Sequence, residues 1–118
     1  MMDEVKKRKT SDEFFKSLEN QEGFVYNLYN TKTFKKNVKL CYKRNLDLDL
    51  LEEVVVKLAK KEELPEKNYP HPLKGYKNKQ NEQVMECHIQ PDWLLVWTQN
   101  DAELILLLTN TGTHSDLF

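Results

Sequence analysis

Glycine is scarce in this sequence, with three in 118 residues, and no two of them lie close together. A phosphate-cradling loop for nucleoside triphosphates needs clustered glycines, so that chemistry is set aside. The two cysteines, Cys41 and Cys87, have no metal-ligand spacing and read as buried or half-buried thiols of a reducing cytoplasm. No apolar run approaches the roughly 20 residues that a membrane-spanning helix needs. The strongest, Leu104–Leu108, falls far short, so no membrane role is expected. Lys6, Lys7, Arg8 and Lys9 charge the N-terminal stretch, but no apolar segment follows, which argues against a secretory signal. There is no internal repeat and no low-complexity stretch. What remains suits one small globular domain, since 39% of residues are hydrophobic and the length allows a single modest core.

A net charge of −1 conceals local asymmetry. From Lys32 to Arg44 stand Lys32, Lys35, Lys36, Lys39, Lys43 and Arg44, with no acid among them. From Lys67 to Lys79 there are again lysines and no acid. The acids gather at Asp47–Glu53, at Glu62–Glu66 and in the N-terminal stretch. Such basic stripes are either solvated faces or the surfaces a polyphosphate partner requires.

Residues 1–23 read as a charged arm. Thr10 and Glu13 have capping-box spacing ahead of Phe14, Phe15 and Leu18, and Phe14 and Leu18 share a helical face. The arm is then a loose start, one short amphipathic helix and a break at Gly23, either docked on the main domain or hanging free. Phe24–Tyr29 reads as a first strand. Thr31 or Thr33 caps a helix carrying Phe34, Val38 and Tyr42. Asp47 or Asp49 opens another, carrying Leu50, Leu51, Val54, Val55, Leu58 and Ala59. Pro65, Pro70 and Pro72 end it and open a loop. Strands follow at Gln83–Ile89, Trp93–Trp97 and Glu103–Leu108, with a turn at Gln99–Asp101 and a polar tail from Thr109 to Phe118. The order strand, helix, helix, strands predicts an α+β domain over residues 24–118, with helices on one face of a twisted, mostly antiparallel sheet.

The three histidines, His71, His88 and His114, each stand beside a loop signal, and Asp92 and Trp93 follow Pro91 directly. Taken singly, each histidine reads first as a structural or exposed residue, and Trp93 and Phe118 as core. Brought together on a sheet, they suit phosphodiester cleavage by an internal 2′-hydroxyl. That reaction needs a base for the hydroxyl proton, an acid for the leaving 5′-oxygen and cations for the phosphate. Aromatic rings such as Trp93 and Phe118 can stack on bases. Only RNA carries the 2′-hydroxyl. Three histidines and an aspartate also allow a zinc-hydrolase reading, although no two histidines show local ligand spacing.

Three blocks then carry a resemblance: His71-Pro72-Leu73-Lys74-Gly75, Glu86-Cys87-His88-Ile89-Gln90-Pro91-Asp92-Trp93, and Thr111-Gly112-Thr113-His114-Ser115-Asp116-Leu117-Phe118. In this order they resemble the YafQ branch of the RelE superfamily of type II toxins. The resemblance implies a RelE-like microbial RNase fold and a cytoplasmic mRNA interferase. Such an enzyme would work without metal or cofactor in the ribosomal A site, leave a 2′,3′-cyclic phosphate and be neutralised by a cognate antitoxin. It places His71, His88, Asp92 and His114 in catalysis. His88 or Asp92 is then the base, His114 the acid and His71 a phosphate holder, while Trp93 and Phe118 position the base and Lys74 and Lys77 help with phosphate. Two arginines usual in that branch are absent: Met85 stands three residues before the central histidine and Asn110 before the Thr-Gly-Thr-His block. The loop between Gly75 and Glu86 is also longer than the branch suggests. A catalytically weakened or dead binding module, associating with antitoxin or ribosome, is therefore the alternative expectation.

Overall fold

The computed structural model describes residues 8–19 and 21–118; the first seven residues, where a loose start is expected, and Asn20 lie outside the described residues. Helix α1 spans Ser11–Glu19. Its capping box forms: Glu13 N–H donates to Thr10 Oγ1, and Thr10 N–H donates to Glu13 Oε1, both at 3.1 Å. Phe14 and Leu18, four residues apart, are the pair that α1 buries. Strand β1 is Asn27–Asn30, beginning later than the apolar run predicts. The reason is competition for backbone donors. Val25 and Tyr26 N–H groups donate to the Ala59 carbonyl at a helix end, so they cannot join a strand ladder.

Helix α2, Lys32–Lys43, is capped by Thr31, whose hydroxyl accepts from Phe34 N–H. Helix α3, Leu48–Ala59, is capped in the same way by Asp47. It stops before the prolines, because Lys61 turns into the left-handed region at φ 61°. A 3₁₀ turn at Glu66–Asn68 follows. Strand β2, His71–Lys77, occupies what the sequence predicts as loop. It lies at one edge of the sheet, where a proline and exposed lysines are tolerated and discourage pairing with other chains. Strands β3 (Gln83–Gln90), β4 (Trp93–Asn100) and β5 (Ile105–Gly112) complete the sheet. The expected polar tail is instead the end of β5 and a single helical turn, α4, His114–Leu117.

The five-stranded sheet has the order β1-β5-β4-β3-β2. Strands β2 to β5 form an antiparallel meander, and β1 joins β5 in parallel. The expected α+β class is observed. Phe14, Phe34, Val38, Leu51 and Val55 of the helices form one buried cluster with Cys87, Trp93, Leu95, Trp97, Leu106 and Leu108 of the sheet. The helices therefore cover one face, and each fully buried large side chain contributes roughly 1.5–3 kcal/mol. Both cysteines are free and sit in this interior, where burial pushes the Cys41 thiol up to about 11 and the Cys87 thiol up to about 12. They are packing groups, not nucleophiles.

Helix α1 belongs to the same core. The Phe14 and Phe15 rings lie 6.4 and 6.1 Å from Phe34. Lys9 bridges to α3, 3.1 Å from Asp49 and 2.5 Å from Glu52. Arg8 lies 4.4 Å over the Tyr42 ring and donates to the Tyr42 carbonyl at 2.7 Å.

Candidate active site

Side chains alternate across a strand, so the residues of β3 divide by parity. Met85, Cys87 and Ile89 pack towards the helices. Glu86 and His88 therefore share the other face. His71 stands opposite Glu86 in the β2–β3 register, and Leu94 stands opposite His88. A register shift between His88 and Gln90 bulges β3 just before the turn that carries Asp92. His114 opens α4 at the far end of β5. Three distant segments thus meet at one corner of the uncovered face. The His71 and His88 ring centroids are 6.3 Å apart, and those of His88 and His114 are 6.2 Å apart.

All three imidazoles have the same nitrogen engaged. Nδ1 of His71 lies 2.8 Å from the Tyr69 carbonyl oxygen. Nδ1 of His88 lies 3.3 Å from the Pro91 carbonyl oxygen. Nδ1 of His114 lies 3.2 Å from Asp92 Oδ1. A carbonyl can only accept, as can an ionised carboxylate, so in each ring Nδ1 carries the proton. Proton exchange is left to Nε2, which in His88 and His114 has no hydrogen-bond partner among the described residues. Asp92, with 73% of its side chain exposed, orients His114 from the solvent side.

His71 differs. Its Nε2 lies 3.1 Å from Oε1 of Glu86, so both ring nitrogens are committed. Glu86 is 4% exposed, and its Oε2 has no hydrogen-bond partner among the described residues. A buried carboxylate with one oxygen unsatisfied is costly. The sequence reading missed Glu86, although parity offered the signal: it lies two residues before His88 and so shares its face.

The turn carrying His114 is built locally. Thr113 and Asp116 form a reciprocal capping box. Asp116 also receives Arg44 from the end of α2, at 2.5 and 3.3 Å. Arg44 first, and then the Thr113 backbone N–H, hold the Asp116 carboxyl down at about 2. Gly112 explains itself here. Its φ is 150°, and a Cβ on it would lie 2.8 Å from Asp116 Oδ2.

The remaining expected residues divide. Phe118 is 61% exposed, and its ring lies 6.4 Å from His114 and 6.2 Å from Tyr76. It is free to meet a base. Trp93 is not: it is 2% exposed, packs with the helices, and donates its indole N–H to Thr111 Oγ1 at 2.9 Å. Strand parity puts it beneath the site, as support for Leu94 and Thr111. No hydrogen bond or ion pair places Lys74 or Lys77 against the imidazoles among the described residues, although both are exposed. Met85 packs on the helix side, so an arginine there would not face the site directly. Asn110 lines the open groove beside Phe118 and is held by Asn37 Nδ2 at 2.6 Å. No group of three or more His, Cys, Asp or Glu side chains converges as metal ligands do among the described residues.

Residues 26–118 match the family described as the bacterial toxin of type II toxin–antitoxin system, YafQ. The mRNA interferase toxin YafQ of Escherichia coli (strain B / BL21-DE3) is 34% identical over 90 residues, covering 72% of this chain and 87% of that protein. A metal-bound toxin from Helicobacter pylori superposes with TM-score 0.71 at 39% identity, covering 79% of this chain and 99% of the other. The toxin of the Escherichia coli DinJ–YafQ toxin–antitoxin complex superposes with TM-score 0.70 at 29% identity, covering 80% and 98%.

Proposed function

The chain belongs to the YafQ family of bacterial type II toxins, and from that premise we propose that its histidine corner cuts messenger RNA on the ribosome without a metal ion. It is an endoribonuclease, an mRNA interferase. The observation that carries the mechanism is that three neighbouring imidazoles each set Nδ1 against an oxygen acceptor. Nε2 of His88 takes the proton of a 2′-hydroxyl as its oxygen forms a bond to phosphorus. The bond from phosphorus to the 5′-oxygen breaks, and His114, entering this step as the imidazolium with its Nδ1–H held by Asp92, gives its Nε2 proton to that oxygen. The products are a 2′,3′-cyclic phosphate and a free 5′-hydroxyl. Asp92 holds His114 through Nδ1, which favours His88 over Asp92 as base. His71, with both nitrogens held by Tyr69 and Glu86, walls the site beside His88, and Phe118 stacks on a neighbouring base.

A free nuclease of this kind needs restraint. A cognate antitoxin is the expected partner, as DinJ is for the Escherichia coli protein. The toxin domain is read as residues 24–118, with residues 1–23 an appended arm, acting in the cytoplasm where ribosomes translate. Lysines of α2 and β2 meet ribosomal RNA through phosphate contacts, which are salt-sensitive and sequence-blind. The test is chemical. RNA cut by the purified protein on 70S ribosomes should carry 2′,3′-cyclic phosphate and 5′-hydroxyl ends. Fragments with 3′-hydroxyl and 5′-phosphate ends would contradict transesterification.

A further inference from the structure

We infer that Tyr69 forms a second nucleobase subsite, at the other end of the site from Phe118; the inference rests on the nuclease reading above. Ring contacts run without a break from Tyr69 to His71, His88, His114, Phe118 and Tyr76, at centroid separations of 4.7, 6.3, 6.2, 6.4 and 6.2 Å. The imidazoles are the middle of this series, and exposed aromatic rings are its ends. Each end opens on its own cavity. Phe118 and Tyr76 line one of about 520 Å³ with Leu73, Val84 and Val96. Tyr69 lines another of about 660 Å³ with Leu50, Lys67, His88, Ile89 and Pro91. A phosphodiester carries one nucleoside on each side. With the scissile phosphate at the imidazoles, the two flanking bases have an aromatic-lined recess each.

The backbone argues that this ring is placed deliberately. Tyr69 sits in the left-handed region, at φ 43° and ψ 60°, where bulky aromatic residues rarely go. Glycine or asparagine would hold that conformation with less strain. The turn is fastened from both sides. Tyr69 N–H donates to the Glu66 carbonyl at 2.9 Å, and buried Asn68 donates its Nδ2 to the His88 carbonyl at 2.8 Å. The strained residue is nonetheless 64% exposed, with its ring 4.7 Å from His71 and 6.1 Å from His88. Core packing does not require such a ring; a base stacked beside the reacting phosphate does. Lys67 in the same recess supplies a cation for a neighbouring phosphate.

The test uses the full chain and a single-stranded 2′-O-methyl RNA, which cannot be cleaved. It carries 2-aminopurine at successive positions, and stacking is read as fluorescence quenching. Wild type should quench the probe at two positions separated by the imidazole contacts. Tyr69→Leu should abolish quenching at one of them only and weaken binding about tenfold, while Tyr69→Phe stays within about twofold of wild type. Circular dichroism establishes that the variants fold. Equal quenching in wild type and Tyr69→Leu overturns the subsite. So does loss of antitoxin binding in Tyr69→Leu with RNA quenching unchanged, since the recess then serves a protein partner. Two-position quenching by a wild type that leaves cleavable mRNA intact on ribosomes would sink the nuclease reading and leave the subsite standing.

Discussion

Oε1 of Glu86 lies 3.1 Å from Nε2 of His71, and the carboxyl behind it is almost wholly buried. Since Nδ1 of His71 already faces the Tyr69 carbonyl, one proton is held between the imidazole and this carboxyl. The pair fixes the ring that walls the site beside His88. Glu86→Gln keeps the shape and removes the acid. It should lower the single-turnover cleavage rate about 10- to 100-fold, while stability changes by about 1 kcal/mol or less. Cleavage rate and thermal melting, measured together, check this. An unchanged rate, or a loss of rate matched by unfolding, counts against the positioning role.

Asp116 ties the turn bearing His114 to Arg44 of the helical layer. Its folded carboxyl is held at about 2, below the ordinary 3.8. The depressed value means that the ionised form is favoured by folding. This contribution is therefore complete above the ordinary value and is lost as pH falls from about 4 to about 2. Asp116→Asn should flatten the dependence of melting temperature on pH across that window and leave it unchanged above. Parallel curves for variant and wild type would contradict the assignment.

Helix α1 lies outside residues 26–118, yet Phe14 is fully buried in the common core. Phe14→Ala should cost about 3–5 kcal/mol. Denaturant unfolding measures this. A loss below about 1 kcal/mol would mean that α1 rests on the domain without stabilising it.

Lys35, Lys36 and Lys39 are exposed on α2. Replacing all three with alanine should weaken ribosome binding and lower its salt dependence, since each phosphate contact contributes a slope of about 0.9 in log–log terms for duplexes. Filter binding across a salt series gives both numbers. An unchanged affinity at low salt rules the helix out as a contact.

Much of this was legible in the sequence, for local reasons. Thr31 and Asp47 cap the helices that their positions suggest, and Thr10 with Glu13 caps α1. The three histidine blocks gave the residues that meet at one corner. What escaped depended on context. Strand β2 hid behind Pro70, Pro72 and its lysines, because an edge strand looks like a loop in composition. The turn at α4 hid in a polar tail, because its four residues are held by Thr113, Asp116 and a distant Arg44. The resemblance set Trp93 against a base, whereas strand parity sends it into the core, as its reading taken singly expects. Tyr69 carries no sequence signal, since its left-handed backbone follows from how Asn68 pins the turn to β3.

The most direct test is primer extension on mRNA bound to purified 70S ribosomes, with EDTA present, comparing wild type with His88→Ala and His114→Ala. The account predicts discrete cuts by wild type, and a rate lower by about 10²- to 10⁴-fold in each folded variant. Cuts that persist at the wild-type rate in either variant, or no cuts from folded wild type, would contradict it.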